Sequence, residues 1–181
     1  RGTAFAPHFF TVPNNAQLDA LLPQEMAERA EEFGIRKAAL PAMSMVVLGV
    51  LAGAFIGLGA MLSTVAVTGA AGVLPWGVTR LVGGVAFSLG LILVVVGGAE
   101  LFTGNNLLVM AWVGGKVSTR ALARSWGWVL LGNALGATGT AALVFLSGQY
   151  RFAHGAVGLT ALQAATAKAQ LPFLQALALG V

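Results

Sequence analysis

The composition of this 181-residue chain excludes an ordinary soluble domain, because 57% of its residues are hydrophobic and only 9% are charged. Soluble domains carry roughly a quarter charged residues. Between Ala38 and Gly115 the only Asp, Glu, Lys or Arg residues are Arg80 and Glu100. The net charge of +4 does not indicate nucleic-acid binding, since the bases lie at the ends of apolar segments. The pattern predicts an all-α integral membrane protein.

Residues 1–40 form a polar N-terminal segment without the apolar core of a secretory signal peptide. Residues 1–14 are predicted to be irregular. A short amphipathic helix follows, with Met26 and Phe33 on one face and Gly34 as its end. Its acidic residues favour packing against the protein itself over binding to a lipid surface.

Residues 41–181 are predicted to be the transmembrane domain. The first span covers about 41–63, which is apolar, uncharged and long enough to cross the hydrocarbon core. Gly49, Gly53 and Gly57 recur every four residues and form a flat stripe. Small residues at this spacing let two helices approach closely, so the stripe is expected to pack on another helix.

The second span covers 76–113 and is predicted to break near 97–106, where glycines, an acid and polar residues interrupt the apolar run. Lipid cannot hydrogen-bond an unravelled backbone, so such a break survives only inside protein or beside water. The break is therefore a candidate functional site.

The third span covers 118–148 and contains Asn133, whose buried amide is expected to hydrogen-bond a neighbouring helix. Residues 148–169 form a more polar connection, and 170–181 begin a fourth span. Twelve residues are too short to cross a bilayer as a helix. We therefore expect the chain to be part of a longer protein.

The basic residues predict the orientation. One cluster precedes the first span, and a second follows the second span; they consist of Arg36, Lys37, Lys116, Arg120 and Arg124. Two crossings place both clusters on one side of the membrane, which the positive-inside rule makes cytoplasmic. The N-terminus is therefore expected in the cytoplasm.

Glu100 and Thr103 each allow two interpretations. A lone acid at membrane depth is costly unless it is paired or hydrated. Glu100 either accepts backbone N–H groups of the broken turn or belongs to a proton or ion path. Thr103 either caps a restarting helix or presents its hydroxyl to a permeating ligand.

Four apolar residues flank the break and allow two interpretations as well: Phe87, Leu91, Leu101 and Phe102. They either face lipid and core, as most apolar membrane residues do, or form constrictions that exclude water.

The sequence offers little for catalysis or metal binding. It has no cysteine, and His8 and His154 lie far apart without a carboxylate at ligand spacing. Gly115-Lys116 lacks the spaced glycine of a phosphate-binding loop. We expect no enzyme activity, no cofactor and no metal ion.

The central stretch resembles the formate/nitrite transporter family. The resemblance is carried by GAELFTGNN at 98–106 and VGGVAFSLGL at 82–91, and it extends to residues 23–38, to LGNALG at 131–136 and to LSGQY at 146–150. It implies an aquaporin-like bundle of six helices in two inverted repeats, of which this chain would hold the first repeat and the start of the fourth helix. It also implies a homopentamer with one pore in each subunit.

By the same resemblance, the break becomes a selectivity loop that contains Glu100, Thr103, Gly104 and Asn105. The four apolar residues named above would line or adjoin constrictions, and Lys168 matches a lysine on the outer side of the pore. The family's central pore histidine belongs to a later helix, which is expected to follow residue 181.

The resulting hypothesis is transport of small monovalent anions, most of all formate, with proton involvement, across a bacterial or archaeal plasma (inner) membrane. Nitrite or hydrosulfide transport, and a channel for neutral solutes such as water or glycerol, remain alternatives. A membrane scaffold without transport is a further alternative. Because an unpaired acid would oppose anion passage, Glu100 and Lys168 are predicted to be electrostatically coupled.

Overall fold

The computed structural model describes residues 22–180, and within them the chain folds into helices joined by turns, without a β-strand. The α-helices, in chain order, are α1 (Pro23–Ala38), α2 (Ala42–Val67), α3 (Trp76–Val96), α4 (Leu108–Val113), α5 (Thr119–Leu146), α6 (Ala156–Ala169) and α7 (Phe173–Gly180). Short 3-10 turns occupy Gly104–Leu107 and Gln149–Arg151. The prediction for residues 1–14 lies outside the described residues.

Three of these helices are long and apolar enough to cross a membrane: α2, α3 and α5, with 26, 21 and 28 residues. At 1.5 Å per residue even the shortest of them covers about 30 Å, the thickness of the hydrocarbon core. The second span runs as α3, stops, and resumes as α4. The predicted all-α fold with a broken second helix is confirmed.

The predicted end of the first helix is wrong. Helix α1 does not stop at Gly34 but continues to Ala38, and Gly34 is buried. A methyl group added at Gly34 would lie 3.1 Å from the Cβ of Ala111, so the glycine serves close packing on α4 and not helix termination. The polar connection at 148–169 also contains a helix that the sequence pattern did not indicate, because α6 occupies its second half.

The glycine stripe of α2 packs against α5, as predicted. A methyl group added at Gly49 would lie 3.1 Å from the Cα of Gly132. One added at Gly53 would collide with the carbonyl oxygen of Asn133, and one added at Gly136 with that of Val50. The two backbones are therefore in direct contact, which only side-chain-free positions allow.

On its other side, α2 packs against α3 in the same manner. A methyl group added at Gly59 would lie 2.9 Å from the Cα of Gly90. Helix α2 is thus the central element, with α3 and α5 on either side. This arrangement brings the end of α3, where the chain breaks, close to both of the other long helices.

Helix α1 is fastened to the end of the bundle. Arg124 Nη2, on α5, donates to the carbonyl oxygens of Ala38 and Leu40, each at 2.9 Å. Lys116 Nζ forms an exposed ion pair with Glu31 at 2.7 Å. Apolar residues of α1, α4, α5 and the turn between α4 and α5 form a small core: Ala38, Leu108, Ala111, Val117 and Leu122. The prediction that α1 packs on its own protein is confirmed.

Candidate functional site

The break begins with a glycine-dependent helix end. Gly98 has a φ of +62°, a left-handed conformation that glycine adopts without strain. Its N–H donates to the carbonyl of Val95 at 3.3 Å, and the N–H of Ala99 donates to that of Val94 at 3.0 Å. This pair of bonds is the Schellman arrangement, which satisfies the last carbonyls of a helix and turns the chain away from its axis.

The segment after Gly98 forms hydrogen bonds with the neighbouring helices. The N–H of Glu100 donates to the carbonyl of Leu48 on α2 at 3.2 Å. The side chain of Asn133, on α5, accepts from the N–H of Phe102 at 2.8 Å and donates to the carbonyls of Glu100 and Gly49, each at 2.9 Å. The prediction that Asn133 bonds a neighbouring helix is confirmed.

Asn105 anchors the far end of the break. Its side chain is 0% exposed. The amide donates to Ser125 Oγ at 3.4 Å and accepts from Lys37 Nζ at 3.0 Å. Trp126 Nε1 donates to its main-chain carbonyl at 3.1 Å. Because its polar atoms bond residues of α1 and α5, Asn105 holds this end of the break against those helices.

Glu100 is buried, with 6% of its surface exposed, and it forms an ion pair with Lys37. Lys37 Nζ lies 2.9 Å from Glu100 Oε2 and bonds Asn105 at the same time. A buried carboxylate requires such a partner, because an unpaired charge away from water is very costly. Helix α1 therefore supplies the positive charge that neutralises Glu100 in the break.

The predicted coupling of Glu100 to Lys168 is not what the structure shows. Glu100 has Lys37 as its ion-pair partner, and across residues 22–180 no hydrogen bond or ion pair joins it to Lys168. The prediction failed because a spacing of 63 residues gives no sign that Lys37 reaches Glu100. The alternative that Glu100 accepts backbone N–H groups of its own turn also gives way to the Lys37 ammonium.

A cavity of about 700 Å³ lies beside the break. It is lined by the last turns of α1, the turn that follows α1, the second half of α3 and the break itself. The residues are Phe33, Arg36, Lys37, Leu40, Leu91, Val94, Val95, Gly98, Ala99, Glu100, Leu101, Thr103 and Gly104. Most of this wall is apolar, and its polar groups are two cations, one paired acid and a hydroxyl. Arg36 and Thr103 thus lie beside an ion pair on a mostly apolar surface.

The cavity brings together five of the predicted site residues: Leu91, Glu100, Leu101, Thr103 and Gly104. Leu91 is 49% exposed, and Leu101 packs partly against the core formed by Ala52, Val94 and Ala99. The geometry thus places the hydroxyl and the two leucines on one surface. Their role as loop and constriction residues stays a prediction.

The other four predicted residues do not line this cavity: Phe87, Phe102, Asn105 and Lys168. The ring of Phe102 packs at a tilt against Trp126, with 6.1 Å between ring centroids. Phe87 lies on α3 and is partly exposed, and Lys168 is exposed near the end of α6.

Sequence reasoning missed the contribution of α1 and of the start of α5. The charge pattern identifies Lys37 and Arg36 only as orientation markers, yet both line the cavity. The guanidinium of Arg36 also lies 4.7 Å from the ring centroid of Phe33. The isolated Glu100 in an apolar segment predicts that a cation lies nearby. Nothing in the sequence indicates that Ser125 and Trp126 contact the break.

The chain matches the family model described as formate/nitrite transporter over residues 24–181. It is 43% identical over 163 residues to the formate channel FocA of Escherichia coli K12, covering 90% of this chain and 57% of that protein. It is 41% identical over 162 residues to FocA of Haemophilus influenzae, with the same coverage. The chain therefore spans a little more than half the length of these relatives.

A solved structure, a pentameric formate channel with formate bound, is similar in fold. The TM-score is 0.72 at 42% sequence identity, covering 77% of this chain and 54% of that one. The family match over residues 24–181 includes the break, the three long helices and all but the first residue of α1. The chain belongs to the formate/nitrite transporter family.

Proposed function

We propose that the complete protein conducts small monovalent anions, formate above all, through a pore in each subunit of a homopentamer. The observation that supports this best is the cavity beside the broken helix, where the Thr103 hydroxyl, the Arg36 guanidinium and the Lys37–Glu100 ion pair lie on an otherwise apolar wall. The 43% identity to a formate channel and the likeness to a pentameric one agree with it.

The main free-energy cost of moving an anion through an apolar space is the loss of its hydration. Polar groups on the cavity wall offset part of that cost. Arg36 raises the local anion concentration, because a charge in a cleft with low-dielectric walls focuses its field. The Thr103 hydroxyl replaces part of the lost hydration. Since Lys37 neutralises Glu100, the acid does not repel the incoming anion.

Formate takes up a proton, in this proposal, where the path is apolar. Leu91 and Leu101 offer no hydrogen bonds to a charged solute, so a protonated formate crosses their surface at a far lower cost than the anion. Uptake should then rise as the external pH falls toward the acid's own pKa. Nitrite and hydrosulfide are further candidate substrates of the same site.

The experiment is flux through the complete protein in proteoliposomes, with formate as the substrate and nitrite or hydrosulfide as competitors across a pH series. Formate flux above that of empty vesicles, together with anion currents in planar bilayers, supports the proposal. Flux of glycerol or water without anion current would instead indicate a neutral-solute channel.

Thr103 provides the sharpest variant. Thr103→Val keeps the shape but removes the hydroxyl, and we expect formate flux to fall about tenfold, the equivalent of one hydrogen bond to a charged group. Thr103→Ser keeps the hydroxyl and is the matched control, with flux near that of the parent. Equal flux in Thr103→Val and Thr103→Ser would remove Thr103 from the mechanism.

A further inference from the structure

Asn133 joins three backbone groups that belong to two other segments. Its Oδ1 accepts from the N–H of Phe102 at 2.8 Å, and its Nδ2 donates to the carbonyls of Glu100 and Gly49 at 2.9 Å each. The side-chain amide has two donor hydrogens and one acceptor oxygen. Both donor hydrogens and the acceptor oxygen therefore bind main-chain groups.

The two bonds to the break bracket one residue. Asn133 holds the carbonyl of Glu100 and the N–H of Phe102, the same two groups that a neighbouring β-strand would bind. Both peptide groups that flank Leu101 are thereby restrained. Leu101 and Thr103, which follow closely, form part of the cavity wall.

The origin of the Asn133 side chain is itself fixed. A methyl group added at Gly53 would collide with the main-chain carbonyl of Asn133, and one added at Gly49 would lie 3.5 Å from its N–H nitrogen. Helices α2 and α5 are thus in direct backbone contact at the residue from which this side chain leaves α5. Because Asn133 bonds both α2 and the break, the position of this helix pair determines the position of the break.

We infer that Asn133 is a positioning residue for anion selectivity: through the backbone of Glu100 and Phe102 it sets where Leu101 and Thr103 stand on the cavity wall. This inference rests on the proposed function. Asn133 does not touch the solute in this proposal, so in an assembled variant its loss should act through the positions of Leu101 and Thr103 and change which anion passes.

The test compares Asn133→Ala with the parent in the complete protein, using formate and acetate in parallel flux assays. We expect the ratio of formate to acetate flux to fall by about tenfold, because small misplacements of positioning groups have effects of this size or larger. Amide hydrogen exchange over residues 100–104 should rise in the same variant.

Thr140→Val is the matched control, since Thr140 is buried on the same helix and its hydroxyl bonds only the carbonyl of Gly136 within α5. It should leave the flux ratio and the exchange unchanged. If Asn133→Ala does not assemble, Asn133→Gln keeps the amide but displaces it by one methylene, and a lowered ratio is again expected.

The inference is overturned if an assembled Asn133→Ala or Asn133→Gln keeps the parental flux ratio and the parental exchange at 100–104. Absence of formate flux in the parent is a different outcome, because it contradicts the proposed function. In that case the exchange measurement still decides whether Asn133 positions the break.

Discussion

Glu100 retains a charged partner inside the helical domain because Lys37 reaches it from the last turn of α1. The acid is almost fully buried, and the lysine side chain is 26% exposed. Removing one member of such a pair costs more than the pair itself contributes, since the other charge is left buried and alone.

Lys37→Met should therefore destabilise the complete protein by about 3 kcal/mol. Adding Glu100→Gln in the same background should restore most of that loss, because an amide is far cheaper to bury than an unpaired carboxylate. Unfolding midpoints in a detergent titration of the parent, both single variants and the double variant measure the coupling. Additive effects would contradict a direct ion pair.

Lys116→Met is the control for this cycle, because Lys116 forms an ion pair with Glu31 on the exposed surface. The hydrogen bond to Glu31 and its negative charge raise the pKa of Lys116 above the ordinary 10.5. The raised pKa means that this pair contributes fully below pH 10.5 and is lost only as pH rises through the raised pKa. At neutral pH its removal should have little effect, since exposed pairs contribute little.

The sequence predicts that Glu100 and Asn133 have partners but does not identify the partner of Glu100. The cost of an isolated acid predicts that Glu100 has a partner, and the presence of Asn133 in an apolar span predicts an interhelical bond. Which cation forms the ion pair with Glu100 depends on where α1 packs against the other helices. That position is decided by packing among Ala38, Leu108 and Leu122, which no local pattern encodes.

At the scale of elements, the end of α3 depends on the left-handed conformation of Gly98. Gly98→Ala should destabilise the protein by about 1 kcal/mol, because alanine is strained at a φ of +62°. Gly84→Ala, on the same helix and facing open space, is the control and should be neutral or stabilising. Equal unfolding midpoints for the two variants would show that the Schellman end is dispensable.

The contact between α2 and α5 gives a second matched pair on one helix. Gly136→Ala places a methyl group against the carbonyl of Val50, whereas Gly139→Ala meets nothing within 4 Å. We expect Gly136→Ala to lower stability by about 1–3 kcal/mol through overpacking and Gly139→Ala to preserve it. Thermal unfolding of the purified assembly compares them, and a stable Gly136→Ala would mean that the two backbones can move apart.

Helix contacts and helix ends were predictable where a sequence pattern has one structural cause. The four-residue glycine repeat predicts a packing stripe, and the polar run after Gly98 predicts a break. The prediction for Gly34 is wrong because a glycine can serve close packing as readily as termination. Helix α6 begins after Gly155 at a left-handed turn that the polar composition of the connection concealed.

At the scale of the whole molecule, the α4–α5 turn lies beside α1, since Lys116 contacts Glu31. We propose that this side faces the cytoplasm, where both basic clusters would lie. A single cysteine at Arg120 should then resist a membrane-impermeant maleimide in intact cells. Cysteines at Ala71 or Gln163, both exposed and on the opposite side, should react.

Labelling after permeabilisation provides the control, because all three positions are exposed and should then react alike. Reaction at Arg120→Cys in intact cells with protection at Ala71→Cys would reverse the proposed orientation. These 181 residues have no native cysteine, so they add no background to the assay.

The fold class and family followed from the sequence because composition and the stretch at 98–106 are specific. The cavity did not, because its wall combines α1, α3 and the break, which lie far apart in the chain. Phe87 and Leu91 are one turn apart on α3, yet only Leu91 faces the cavity. The side of a membrane helix that meets a cavity depends on neighbours that periodicity cannot identify.

The tightest helix contact joins the first and third membrane helices, which are not consecutive in synthesis. While α2 and α3 are entering the bilayer, Asn133 has not yet been made, so the carbonyl of Glu100 and the N–H of Phe102 lack their partner. Hydrocarbon cannot supply one. The break must therefore stay near water or within the insertion machinery until α5 arrives and Asn133 binds both groups.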